Sequence, residues 1–243
     1  MISIKPYDNL DGTTVNVFPS IFIAAIGGFI GKSYYGYTGL GIGIASGLLA
    51  GYLAAKVTTT PVGNTFKTFN GRSYLIHVPE NSSGKKLVYF HGNGAKIDDL
   101  GDSIASFDKA NDPRIVIVPQ LEPHGSMPKE DLLGILDSLG IEEMDAMAHS
   151  GGFVALAMLL NTNKRVNNVG LFDALYGSLD TFERFAKRNT FVNIYGPTTR
   201  ELSQQMVRDI GSRANAEEYL TGNHGGVPIR YGEQVINMFY EAV

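Results

Sequence analysis

One stretch of the sequence carries residue types at a spacing suited to nucleophilic chemistry: Ala148-His149-Ser150-Gly151-Gly152. A serine hydroxyl is a weak nucleophile until a base takes its proton, and a third group must orient that base. An apolar run over residues 144–148 leads straight into Ser150, and a second apolar run covers residues 153–160. The pattern predicts a strand, a sharp turn and a helix. Such a turn needs small neighbours, because its backbone is strained and the helix packs close. Ala148, Gly151 and Gly152 meet that requirement. The helix would also aim its positive N-terminal end at an oxyanion forming on a substrate. Ser150 is therefore the expected nucleophile, with His149 beside it shaping the pocket.

Other residues with chemical potential lie at the ends of apolar runs. His224 is the only histidine after Ser150 and sits in a loop, Gly222-Asn223-His224-Gly225-Gly226. Asp173 stands at the tip of the run 169–172. His91-Gly92-Asn93-Gly94 follows a strand expected at 86–90, with His91 read as bonding within its own loop. His77 and His124 read as surface or loop residues. Asp98, Asp99 and Asp102 read as the solvated start of a helix. No His, Asp or Glu grouping has metal-ligand spacing, and Gly92-Asn93-Gly94 lacks the Lys-Ser/Thr of a phosphate loop. Neither a metal nor another cofactor is expected.

The elements that would position these groups alternate along the chain. Strands are expected at 66–69 and 73–78, joined by the hairpin signal Asn70-Gly71, and then at 86–90, 115–118, 144–148, 169–172 and 191–195. Helices are expected at 130–139, 153–160, 181–186, 199–215 and from about 232 to the end. Short apolar runs alternating with amphipathic stretches indicate a parallel sheet covered by helices.

With this pattern in place, residues from about 66 to 243 resemble the α/β-hydrolase superfamily. The run 171–177, Leu-Phe-Asp-Ala-Leu-Tyr-Gly, is similar to a segment of bacterial members, and His91-Gly92-Asn93-Gly94 resembles the loop after the family's third strand. The resemblance implies an α/β fold with a mostly parallel, doubly wound sheet. It also implies the chain order nucleophile, acid, histidine, which Ser150, Asp173 and His224 follow. His224 would then be the base and Asp173 the group orienting it. The backbone N–H groups of Gly151 and of Asn93 or Gly92 would form the oxyanion hole. The sequence departs from the family in two ways: Ala148 stands at the first elbow position, and the acid follows the sixth family-type strand, not the seventh. After the seventh, the first carboxylate is Glu201, the rival acid. No cap domain is evident.

The rest of the chain has a different character. Between Asp11 and Lys56 the only charge is Lys32, leaving uncharged stretches over residues 12–31 and 33–55. One helix through residues 12–55 would be about 66 Å long at ~1.5 Å per residue, twice a ~30 Å hydrocarbon core. A hairpin turning near Lys32 and ringed by Tyr34, Tyr35 and Tyr37 is the expected solution. Gly39, Gly43, Gly47 and Gly51 repeat every four residues, a stripe that lets helices pack closely. Residues 1–60 are thus expected to be an α-helical hydrophobic hairpin, a membrane or assembly anchor, and residues 61–243 the α/β-hydrolase domain. Burial of the arm in a soluble oligomer is the alternative.

Of 243 residues, 44% are hydrophobic and 18% charged, with no cysteine and a formal net charge of -4. Disulfides and cysteine metal sites are excluded, and the absence of any basic run argues against a nucleic-acid partner. The expected function is an anchored serine hydrolase acting on an acyl ester, either a small molecule or a lipid, at a membrane or within a larger assembly. A homo-oligomer through the glycine face is a further expectation. Two alternatives stand beside this reading: a catalytically silent scaffold whose arm does the work, and an amidase or peptidase with the same triad.

Overall fold

The computed structural model describes residues 62–219 and 223–241, together with a strand pair near the start of the chain. Contacts divide the chain into two units, Met1–Val62 and Gly63–Val243. Of the first, Tyr7–Asp8 pairs antiparallel with Thr14–Val15. Thr14–Val15 is thus strand at the start of the first uncharged stretch. The expected hairpin, its tyrosine belt and its glycine stripe lie outside the described residues. Among the described residues no helix is long and apolar enough to cross a membrane.

In the second unit the strands are β1 (Gly63–Phe69), β2 (Arg72–Val78), β3 (Lys86–Phe90), β4 (Ile115–Pro119), β5 (Glu143–His149), β6 (Arg165–Phe172), β7 (Thr190–Tyr195) and β8 (Ala216–Glu218). The helices are α1 (Gly101–Asp108), α2 (Lys129–Ser138), α3 (Phe153–Leu160), α4 (Leu179–Ala186), α5 (Arg200–Ile210) and α6 (Val227–Glu241). They build one eight-stranded sheet in the order β8-β7-β6-β5-β3-β4-β2-β1. β3 through β8 pair in parallel, while β1–β2 and β2–β4 are antiparallel. The expected α/β class and mostly parallel sheet are what the structure shows.

Alternation along the central strands explains the layers, because successive side chains point to opposite faces. Val88 and Phe90 join Met144, Ala146 and Ala148 on one face, under Ile135 of α2, Leu156 of α3, Phe182 of α4 and Met206 of α5. Leu87, Tyr89 and Met147 face the other way, under Phe107 of α1 and Val235, Ile236 and Phe239 of α6. Asn70 (φ 49) and Gly71 (φ 77) make the β1–β2 turn in the left-handed region, as the Asn-Gly pair requires.

Several boundaries differ from expectation for physical reasons. β2 buries Tyr74, Leu75 and Ile76 in succession, since it lies between β1 and β4 with both faces covered. α6 starts at Val227, five residues early, because Pro228 fits a first helical turn. The solvated stretch 199–215 is helix only to Ile210, followed by a 3-10 turn. β8 has three residues and no sequence periodicity to announce it.

Register matters most for the site. Phe90 pairs with Ala148, Ala148 with Leu171 and Leu171 with Asn193, so β3, β5, β6 and β7 end level. The residues just past those ends, His91, Ser150, Asp173 and Gly196, therefore gather along one edge of the sheet.

Beneath the sheet's centre, Arg114 is buried against Asp145, which also accepts from Asn168 Nδ2 at 2.5 Å. Without Asp145, buried Arg114 would keep only the Asp112 carbonyl at 2.7 Å and the Asp112 carboxylate at 3.8 Å, a poorer partner for a desolvated charge. Asp145→Ala should therefore lower unfolding free energy in urea by about 3–5 kcal/mol. A loss below about 1 kcal/mol would contradict that role.

Candidate active site

β5 delivers Ser150 into a 3-10 turn, Ser150–Gly152, ahead of α3. This is the sharp turn that the strand-to-helix pattern predicts. It forms because Ser150 adopts φ 51, a left-handed conformation costing a β-carbon-bearing residue about 1–2 kcal/mol. The neighbouring glycines are not equivalent. A β-carbon on Gly152 would come within 2.3 Å of the Phe90 carbonyl, so β3 leaves no space there. On Gly151 it would meet nothing nearer than Asn93 at 3.4 Å.

Asp173 follows β6, also left-handed at φ 46, with its N–H donating to the Ile194 carbonyl at 2.7 Å. Its carboxylate is wholly buried and accepts five hydrogen bonds. Oδ1 takes the Gly196 N–H at 3.0 Å and the Thr199 hydroxyl. Oδ2 takes Thr198 Oγ1 at 3.2 Å, the Tyr219 hydroxyl at 2.9 Å and His224 Nδ1 at 2.6 Å. Burial alone would raise this carboxyl's pKa. The bonds from His224, Thr199, Tyr219 and the Gly196 N–H outweigh burial and hold it well below the usual carboxylate range. Burial and the bond to Asp173 push the Tyr219 hydroxyl well above its ordinary range, keeping it a permanent donor.

Glu201 lies exposed in the first turn of α5 and is not among the partners of His224. The loop after β7, where the family resemblance looks for the acid, supplies donors to Asp173 instead. The sequence does not reveal Gly196, Thr198, Thr199 and Tyr219 as donors to Asp173. None has a local signature, since each matters only through the adjacency of β6, β7 and β8.

His224 lies in a 3-10 turn, His224–Gly226, capped by Asn223, whose side chain accepts the Gly226 N–H at 2.8 Å. Its side chain is 40% exposed while that of Asp173 is 1% exposed, so the pair joins an enclosed acid to an open base position. With Nδ1 bonded to the carboxylate, Nε2 remains available. Among the described residues neither His224 Nε2 nor the Ser150 hydroxyl makes a hydrogen bond. Such links often close only around substrate.

His149 bridges the serine turn to the histidine loop. Its ring centroid is 4.7 Å from that of His224, and its Nε2 donates to the His224 carbonyl at 3.0 Å. On its other side, a β-carbon on Gly92 would approach His149 Nδ1 to 2.9 Å, so this ring fills the space a side chain there would take. Burial, then the neighbouring His224, push its pKa down to about 4.

His91 is buried and clamps its own loop, as expected. Its Nε2 accepts the Leu121 N–H at 3.0 Å, which puts the proton on Nδ1, donating to the Gly92 carbonyl at 2.8 Å. The Asn93 nitrogen lies 3.5 Å from where a Gly151 side chain would begin and makes no hydrogen bond to the described residues. The Asn93 side chain instead accepts the His124 N–H at 2.9 Å. His124 is an exposed loop residue, as read. Its loop nevertheless touches the serine turn, because a β-carbon on Gly125 would come within 1.9 Å of the Gly151 carbonyl. His77 is less superficial than expected, bonded to Asn64 at 2.7 Å and Asp108 at 2.8 Å.

The arrangement can orient an imidazole, free one of its nitrogens to take a proton, and present a strained serine beside unspent backbone N–H groups. Solved structures share the fold. An esterase, RhEst1, from Rhodococcus sp. ECU1013 is 14% identical with a TM-score of 0.54, covering 75% of this chain and 100% of its own. A predicted CIB-like hydrolase from Thermoplasma acidophilum is 14% identical at 0.53, covering 74% and 98%. An alpha/beta hydrolase fold protein from Chitinophaga pinensis is 13% identical at 0.51, covering 74% and 97%. At such identities the likeness establishes the α/β-hydrolase fold of the second unit. No family model matches the chain, and no curated protein does.

The depressed His149 pKa makes a stability prediction. The unfolded chain protonates this histidine below about pH 6.5, the folded protein only near 4. The contribution is complete above about 6.5 and is lost as pH falls towards 4. Unfolding free energy should drop by about 2–3 kcal/mol more between pH 7 and 4.5 in the natural protein than in His149→Phe. Parallel pH dependences would contradict a buried neutral His149.

Proposed function

We propose that the Gly63–Val243 unit is a serine hydrolase that cleaves an ester-type acyl bond through an acyl-enzyme on Ser150. The observation that carries this reading is the 2.6 Å bond from His224 Nδ1 to a fully enclosed Asp173 carboxylate, with Nε2 uncommitted. A buried acid that orients a half-exposed histidine has an evident use in general-base chemistry. The esterase and hydrolase names among the proteins of similar fold agree with it.

Ser150 Oγ attacks the acyl carbon while His224 Nε2 takes the hydroxyl proton. Asp173 holds the ring through Nδ1 and stabilises the imidazolium. The N–H groups of Gly151 and of Asn93 or Gly92 take the negative charge forming on the carbonyl oxygen. One such donor contributes about 3 kcal/mol in comparable sites. His224 returns the proton to the leaving alcohol. Water then attacks the acyl-serine, with His224 accepting its proton; the bond from the acyl carbon to Ser150 Oγ breaks, His224 returns the proton to Oγ, and the carboxylic acid leaves.

The connection from Asp173 to β7 holds only α4 between its loops, so no cap crosses it. Phe153 and Tyr176, ring centroids 6.1 Å apart, offer apolar surface at the N-terminus of α3. An acyl ester with an apolar chain suits such a site. The uncharged stretches of residues 12–55 support holding the domain at a membrane, with a lipid ester as one substrate class, and the face of Gly39, Gly43, Gly47 and Gly51 supports a homo-oligomer. These two proposals rest on sequence alone. The silent-scaffold reading draws on the unbonded Ser150 hydroxyl, and amide chemistry would use the same groups.

A fluorophosphonate probe separates these readings. The folded protein should become labelled on Ser150, and Ser150→Ala should lose both the label and any hydrolysis of a panel of p-nitrophenyl esters. Absence of labelling in folded protein would favour the scaffold, and turnover of anilides at rates matching the esters would favour an amidase.

A further inference from the structure

Tyr219 stands five residues before His224, just past the short edge strand β8. Its N–H donates to the Tyr195 carbonyl at 2.9 Å, which continues the β7–β8 ladder and fixes its backbone. Its ring lies where a side chain on Gly196 would go: a β-carbon there would be 2.3 Å from both Cζ and the hydroxyl oxygen. Gly196 in turn gives its N–H to Asp173 Oδ1, and Tyr219 gives its hydroxyl to Oδ2, the oxygen that also holds His224. One tyrosine therefore ties together the root of the histidine loop, the tip of β7 and the acid.

We propose that Tyr219 is a positioning residue that, by sharing Oδ2, fixes the Asp173 carboxylate where His224 meets it. The inference rests on the serine-hydrolase reading. Withdrawing the tyrosine hydroxyl removes one of the three donors on Oδ2, and the carboxylate and the ring bonded to it lose a fixed orientation. The other groups that bear on this pair are His149, its ring tilted against that of His224; Tyr176, which reaches Asp173 through Thr198; and His91, beyond His149. All three remain in the variants below.

The test is Tyr219→Phe, which keeps the ring against Gly196 and removes only the donor, with Thr199→Val as a second variant that removes a donor from Oδ1. The Nδ1–H proton resonance of His224 reports its bond to Asp173 Oδ2 in the full chain and needs no substrate. It should shift in both variants. Tyr219→Phe should also cut kcat for a p-nitrophenyl ester by about five- to twentyfold, with KM changed less than about twofold. An unmoved His224 resonance in folded Tyr219→Phe, or an unchanged kcat with labelling intact, overturns the role. Should Tyr219→Phe not fold, an unmoved resonance in Thr199→Val overturns it. Failure of the natural protein to label with fluorophosphonate would instead sink the hydrolase reading, while the resonance shift would still stand or fall by itself.

Discussion

A carboxylate with no exposed surface is costly to bury unless its lone pairs are taken up, and the Asp173 carboxylate is taken up from three directions. β7 sends the Gly196 N–H and the two threonine hydroxyls, the segment after β8 sends Tyr219, and the loop before α6 sends His224. The constraint runs both ways. The acid stays ionised because those donors converge on it, and the loops carrying them stay close because the charge must be neutralised. The positions of the β7 loop, the edge of the sheet and the histidine loop all depend on this one group.

β6 and β7 are neighbours and end in register, with Phe172 opposite Ile194. A carboxylate turned left-handed at the end of β6 therefore lies beside the β7 tip, about 4.8 Å away across the ladder, and that tip supplies donors. The serine side is built by similarly close approaches: the Phe90 carbonyl against Gly152, the Gly125 loop against the Gly151 carbonyl, and His149 against Gly92. Each uses a glycine where two backbones, or a backbone and a ring, must meet.

Much of this could be read in the sequence where the signal was local. Ser150 stood out because a strand pattern, a small-residue turn and a helix pattern follow one another within about fifteen residues, and all three formed. Asp173 could be preferred over Glu201 because it ends an apolar run, whereas Glu201 opens a solvated helix. His91 was rightly read as a clamp on its own loop, though Leu121 as the second partner was not foreseen. What stayed hidden depends on strand order. Tyr219, Thr198 and Thr199 are ordinary residues until β8, β7 and β6 lie side by side. β8 itself is too short to carry a period. The sequence places His149 beside the nucleophile, yet its contact with the ring and carbonyl of His224 requires the histidine loop to return across the sheet edge. The apolar arm poses the reverse case, a loud sequence pattern over residues that lie outside the described structure.

The central claim is that Asp173, held at the end of β6, orients His224 for Ser150. The most direct measurement is the rate at which fluorophosphonate labels Ser150 in folded Asp173→Asn and Glu201→Gln, against the natural chain. The account predicts a fall of about a thousandfold or more for Asp173→Asn, by analogy with the loss of tautomer control in a serine triad, and no change for Glu201→Gln. Labelling of Asp173→Asn at the natural rate, or a collapse confined to Glu201→Gln, would contradict it.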